Sequence, residues 1–193
     1  MLEFLKNIDT QLFLFLNSLH SPLSDKLMWW FSGTKFWIPL YLIIVVYMVY
    51  KFRWKAVVSL IFIALAVTLA DQVSVHAFKN VFMRLRPCHT PELQEIVHLV
   101  NNKCGGQYGF VSSHAANTFA VAFFLSRLFK NKGFTYFIFF WASIVSYSRI
   151  YLGVHYPLDI IGGAVLGYFI GLAVFYLHQQ TVFCLNKKYP KTF

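Results

Sequence analysis

Carboxylates are scarce in this chain: 7 Asp and Glu residues among 193, set against 17 Lys and Arg. They gather nowhere into an oxygen-rich cluster suited to magnesium, which agrees with an expected absence of metal; no cofactor is expected either. Charge of either sign is thin, 12% of residues, which excludes an ordinary soluble domain. Internal repeats, low-complexity tracts and long polar linkers are missing too. One unit, residues 1–193, is therefore the economical reading. The N-terminus puts Glu3 before Lys6 and lacks a positive head followed by a small-residue cleavage site, so the first apolar segment is expected to be retained.

What is abundant is apolar. Hydrophobic residues make up 58% of the chain and the mean hydropathy is +0.57, the composition of an integral membrane protein. Apolar runs at about Phe36–Tyr50, Ala56–Phe82, Ala115–Phe129, Phe134–Tyr147 and Pro157–Leu177 predict five spanning helices. The N-terminal part is interrupted: Leu12–Leu19 is short, Pro22, Asp25 and Lys26 break it, and Leu27–Phe31 resumes beside Trp29-Trp30. It reads as a broken first span or an interfacial helix. The expected fold is an all-α membrane bundle of about six helices, the first irregular or interfacial.

Basic residues set the expected topology. Lys51, Arg53 and Lys55, then Arg127, Lys130 and Lys132, then Lys187, Lys188 and Lys191 fall on one side, cytoplasmic by the positive-inside rule. The net charge of +10 divides into this anchoring set and a second set on the opposite, outer face, so nucleic acid is not needed to explain it.

Three clusters share that outer face. The segment from Ser148-Arg149 through His155 to Asp159 sets a cation, a candidate nucleophile and a carboxylate at a helix start, where Pro157 fits the first turn. Asp159, four residues after His155, can reach one imidazole nitrogen and leave the other free to attack. Lys79 and Arg86-Pro87 form the second cluster. If the helix continues past Phe82, Lys79 and Arg86 share a face and Arg84 points away toward solvent or headgroups. The third, Ser112-Ser113-His114, opens a helical run, where free N–H groups attract an anion. Each has an ordinary reading alone: a capping pair, a positive membrane flank, a capping serine with a bystander histidine. Together they supply cations, donors and two histidines with one aspartate.

In order and spacing these residues resemble the three-part signature of the type 2 phosphatidic acid phosphatase family, whose soluble relatives include bacterial acid phosphatases and vanadium haloperoxidases. The first and third parts match position by position. The second departs, with Val111-Ser112-Ser113-His114 where the family usually has Pro-Ser-Gly-His. The resemblance implies that His155 attacks phosphorus, Asp159 orients it, and His114 protonates the leaving oxygen and then activates water. It also implies that Lys79, Arg86, Ser112, Ser113 and Arg149 hold the phosphate.

The implied function is metal-independent hydrolysis of a phosphomonoester or diphosphate on a membrane lipid, through a phosphohistidine. Undecaprenyl diphosphate, phosphatidylglycerol phosphate, phosphatidic acid and lipid A phosphate are the candidates. A lipid phosphotransferase is the nearest alternative; an anionic-lipid transporter or binding protein is another, explaining the cations but not the His155–Asp159 pair. Partners beyond lipid are not expected. The implied location is the cytoplasmic (inner) membrane, multi-pass, with the site facing the periplasm or exterior.

Other residues bear on the outer loop, 88–111. Cys88 and Cys104 bracket it and either pair in an oxidising compartment, stapling Arg86 toward Ser112, or remain two thiols. His89 and His98 read as solvated loop residues. Asp71 reads as paired within its span or as support for Lys79. Asn117 and Thr118 read as helix contacts, and Gly162, Gly163, Gly167 and Gly171 as close-packing positions.

Overall fold

The computed structural model describes residues 2–188, so Lys191 lies outside it. Among the described residues the principal elements are seven helices: α1 (Leu2–Ser18), α2 (Pro22–Ser32), α3 (Ile38–Phe52), α4 (Lys55–Phe82), α5 (Ser113–Phe129), α6 (Lys132–Tyr151) and α7 (Pro157–Lys188). No strand is present among them. The protein is thus an all-α membrane bundle. Among the described residues three stretches are long and apolar enough to cross a membrane: Thr34–Phe52, Lys55–Phe82 and Pro157–Lys187. They turn large apolar side chains outward, among them Ile43, Val46, Ile61 and Phe169. That surface suits lipid, which offers apolar groups no reason to hide.

Helix α5 is the axis of the bundle, in contact with α4, α6 and α7. Its small residues explain the closeness. Ala116 and Ala120 face Gly163, Gly167 and Gly171 of α7, and a Cβ at Gly167 would run into the Ala116 carbonyl. This is the small-residue seam expected of membrane helices. Shielded by its neighbours, α5 tolerates polar residues such as Asn117 that lipid would not. Thr118 is buried in the bundle, and its hydroxyl donates within α5, to the His114 carbonyl at 2.8 Å.

The irregular N-terminal part resolves into two helices broken between Ser18 and Pro22, where Ser21 caps α2 by accepting from the Ser24 N–H. Both lie against one end of the bundle. Asn17 of α1 donates to the carbonyls of Tyr151 (2.8 Å) and His98 (3.0 Å) and accepts from the His98 N–H (2.8 Å). From α2, Asp25 accepts from the Tyr151 hydroxyl at 2.7 Å. His98 is consequently not a solvated loop residue: its Nε2 lies 3.0 Å from Asp25 and its ring stacks on His20 at 3.8 Å. These are contacts across a sequence distance that no local pattern reveals.

The same end collects the C-terminus of α4, the N-terminus of α5, the C-terminus of α6 and the N-terminus of α7. All three motif clusters lie there. The basic turns at Lys51–Lys55 and Arg127–Lys132 occupy the other end.

Candidate active site

Pro157 begins α7 and Asp159 falls in its first turn. The Asp159 carboxylate works in three directions. Oδ2 accepts from the backbone N–H of Tyr156 at 3.0 Å, a capping contact at the helix start, and lies 3.3 Å from His155 Nδ1. Oδ1 accepts from Arg84 at 2.9 Å. Capping and histidine pairing are therefore not alternatives; one carboxylate does both. An Nδ1–H donated to Oδ2 leaves the lone pair of Nε2 free. His155 is 1% exposed and Asp159 is fully buried. Burial, and then the positive charges of Arg86, Arg149, Lys79 and Arg84, hold His155 well below its ordinary pKa, so its imidazole is neutral at neutral pH.

Arg84 is a correction to the sequence reading. The α4 helix does not run on to Arg86: Ser74–Lys79 is wound as a π segment, and Phe82 is followed by Met83 in the left-handed region (φ 45°). The chain then extends, Leu85 bridging Tyr108 in antiparallel fashion. That reversal turns Arg84 inward. Its guanidinium spans Asp159 and Asp9, donating to Asp9 Oδ2 at 2.6 Å, and lies over the Tyr156 ring at 4.1 Å. Asp9 was not singled out in the sequence, since nothing near it in α1 suggests a site. It is 2% exposed, and its other oxygen accepts from the Leu158 N–H at 2.9 Å. Asp9 thus anchors both Arg84 and the start of α7.

Arg86 reaches the site from the extended segment rather than from a helix face. Its Nε donates to the Tyr108 carbonyl (3.2 Å) and one terminal nitrogen to the Cys104 carbonyl (3.3 Å). Cys88 and Cys104 are joined by a disulfide with Cα atoms 6.0 Å apart, which holds the loop carbonyl that Arg86 uses. Gly109 lets this loop approach: a Cβ there would sit 2.9 Å from Asp159 Oδ2 and 3.3 Å from Arg86 Cγ. Its need for glycine depends on a contact 50 residues away and was invisible in sequence.

Lys79 donates to Ser113 Oγ at 2.7 Å, and Ser74 Oγ is also 2.7 Å from that hydroxyl. The serine that stands where the related pattern has glycine therefore fastens Lys79. Asp71 contributes its carbonyl to Ser74, and its charge is within electrostatic reach of Lys79. Ser112 occupies the N-cap position of α5 without capping it; its side chain is buried and its Oγ has no hydrogen-bond partner. Arg149 is fixed by Ser32 at the end of α2, while its Nε is buried and unpaired. His114, at the start of α5, is within electrostatic reach of Arg149, His155, Lys79 and Arg86.

The structure thus gathers the eight residues at one end of the bundle. As for metals, Cys88, His89 and Cys104 lie close enough to share an ion, but the two sulfurs are bonded to each other. That leaves His89 as a lone ligand.

Cations, orphaned buried donors and a carboxylate-held imidazole at one end of a membrane bundle make up an integral membrane phosphatase. The chain belongs to the PAP2 superfamily, whose family model matches residues 56–183. It is 44% identical over 185 residues to the lipid A 4'-phosphatase of Bacteroides thetaiotaomicron, spanning 94% of this chain and 82% of that protein. It is 35% identical to the lipid A 4'-phosphatase of Porphyromonas gingivalis over 93% of this chain and 78% of that one. Among solved structures, Aquifex aeolicus LpxE superimposes with a TM-score of 0.63 at 25% identity, covering 86% of this chain and 93% of the other.

Proposed function

We propose that the protein removes a phosphate monoester from a lipid A-type glycolipid in the outer leaflet of the cytoplasmic membrane, acting as one membrane-embedded unit over residues 1–193. The observation that carries this is the convergence of unpaired buried donors, Ser112 Oγ and Arg149 Nε, on the end of the bundle that holds the His155–Asp159 pair. Buried donors without acceptors are costly, and a phosphate supplies several acceptors at once. The identities to two lipid A 4'-phosphatases support the choice of lipid.

In the proposed reaction Nε2 of His155 forms a bond to phosphorus as the bond to the sugar oxygen breaks. His114, whose pKa burial and the neighbouring cations push down to about 3, takes up a proton once the phosphate's negative charge offsets those cations, and gives it to that oxygen. Water, deprotonated by His114, then displaces phosphate from His155. Asp159 holds the imidazole through Nδ1 and stabilises the positive charge that develops on it. Arg86, Arg149, Lys79, Ser112 and the N–H of Ser113 bind the non-bridging oxygens. The Ser113 hydroxyl acts through Lys79. The basic turns at the opposite end and the disulfide at the site end, which fits an oxidising compartment, support an outward-facing site.

The test is phosphate release by purified protein from a panel of lipid phosphates and diphosphates with EDTA present. Release from the glycolipid monophosphate, abolished in His155→Ala, is expected. Release from the diphosphates alone would overturn the substrate assignment, and undiminished release by His155→Ala the mechanism. Headgroup binding without turnover would favour a binding or transport role, and phosphate lost only when an acceptor lipid is added would mark a phosphotransferase.

A further inference from the structure

A second feature opens beside His114. A cavity of about 440 Å³ runs into the bundle between α3, α4, α5 and α6, its walls formed largely by apolar side chains such as Trp37, Tyr41, Met48, Val67, Leu125 and Ile138. From the level of Trp37 to that of Met48 is eleven residues of helix, about 16 Å of depth. His114 lines its wall, so the cavity reaches the candidate site at that residue. Nothing in the phosphate chemistry uses it.

Two fully buried polar atoms in the lining have no hydrogen-bond partner. Trp141 is 4% exposed and its indole Nε1–H has no acceptor; Asn117 Oδ1 is buried and has no donor. Asn117 lies three residues beyond His114, about 4.5 Å along α5, while Trp141 lies eight residues before Arg149, about 12 Å down α6. Trp37 and Tyr41 pack edge-on against the Trp141 ring at 6.0 and 6.1 Å and hold it in place. One unpaired donor and one unpaired acceptor in an apolar cavity describe a ligand that is mostly hydrocarbon but carries both kinds of group. An isoprenoid chain has neither, and an ester-linked acyl chain offers acceptors alone. An amide-linked or hydroxylated acyl chain has both.

Resting on the phosphatase reading above, we propose that this cavity holds one acyl chain of the substrate and that Asn117 and Trp141 select a chain bearing an amide or hydroxyl group. Asn117 accepts the N–H or O–H and Trp141 donates to an oxygen of the same chain. The phosphate clamp is then indifferent to the lipid, and discrimination lies in these two positions. A site built to satisfy hydrogen bonds rejects a partner that lacks them more strongly than an apolar wall rejects a change in length.

The experiment measures kcat/KM of the full-length protein on two synthetic glycolipid monophosphates with the same sugar and chain length, one with an amide-linked hydroxyacyl chain and one with a plain ester-linked chain. Wild type is expected to prefer the first by roughly tenfold or more. Asn117→Leu removes its polar atoms with little change in volume and Trp141→Phe removes the indole N–H while shortening the ring, and each should bring the preference toward one, mainly through KM for the hydroxyacyl substrate. Monodisperse elution identifies folded variants, and either one suffices. Equal kcat/KM for both lipids in wild type, or a preference that both variants keep, overturns the selection while leaving the phosphatase reading intact. Hydrolysis of neither lipid overturns both.

Discussion

Asp9 offers the sharpest test of how the catalytic end is held together, because it lies in a helix with no motif and yet touches two elements of the site. Asp9→Ala removes the partner of Arg84 at 2.6 Å and the acceptor of the Leu158 N–H at 2.9 Å. Taking one member from a buried ion pair costs about 3–5 kcal/mol. The Arg84 side chain is 23% exposed and keeps Asp159, so solvent and that second carboxylate reduce the loss to about 1–2 kcal/mol. The orphaned N–H at the start of α7 adds about 1 kcal/mol. The total, about 2–3 kcal/mol, corresponds to a fall of roughly 5–10 °C in unfolding temperature for a chain of this size. Arg84 without Asp9 pulls less consistently on Asp159, so kcat should fall roughly 10- to 100-fold with little change in KM. Asp9→Asn keeps an acceptor for Leu158 and should lose about 1 kcal/mol less. The assays are thermal unfolding in detergent and steady-state phosphate release. An Asp9→Ala protein within about 2 °C and about twofold of wild type in kcat would refute the reasoning.

Ser113→Gly brings the chain to the commoner family pattern but removes the hydroxyl that Lys79 and Ser74 share, so KM for the lipid phosphate should rise roughly threefold or more; an unchanged KM would contradict a positioning role. Cys88→Ser opens a loop whose closure is worth about 3 kcal/mol and loosens the Cys104 carbonyl that Arg86 uses. It should therefore lower the unfolding temperature and weaken inhibition by inorganic phosphate, while a wild-type profile with and without reductant would count against it. A protonated His155 cannot attack, and burial together with four nearby cations disfavours its protonation. The neutral form should therefore persist as pH falls through 6.5, the ordinary histidine value, and the ring nitrogen NMR shifts of His155 should show no titration at or above that pH; a midpoint there would argue against the buried nucleophile.

Much of the site could be read in the sequence because its parts are local. The His155–Asp159 pair sets its geometry within about one turn, and Pro157 marks where the helix must start. The seam of Gly163, Gly167 and Gly171 shows in a four-residue period. What escaped is what depends on the fold's long connections. A helical projection carried past Phe82 puts Arg84 toward solvent or headgroups, whereas the left-handed residue at Met83 ends the helix and turns the next segment inward. Asp9, Asn17 and Gly109 act on partners 149, 134 and 50 residues away, and no local spacing encodes those meetings. The N-terminal helices look irregular in sequence because their polar residues face the end of the bundle, where Asp25 and Asn17 find partners in α6 and the outer loop.

The central claim is that His155 carries phosphate covalently. It is tested most directly by rapid acid-free quenching of the protein with a radiolabelled lipid phosphate, followed by peptide mapping of the bound label. Label stable to alkali and lost in acid, on the peptide containing His155 and absent from His155→Ala, is the predicted result. Label on another residue, or steady phosphate release by His155→Ala at the wild-type rate, would contradict it.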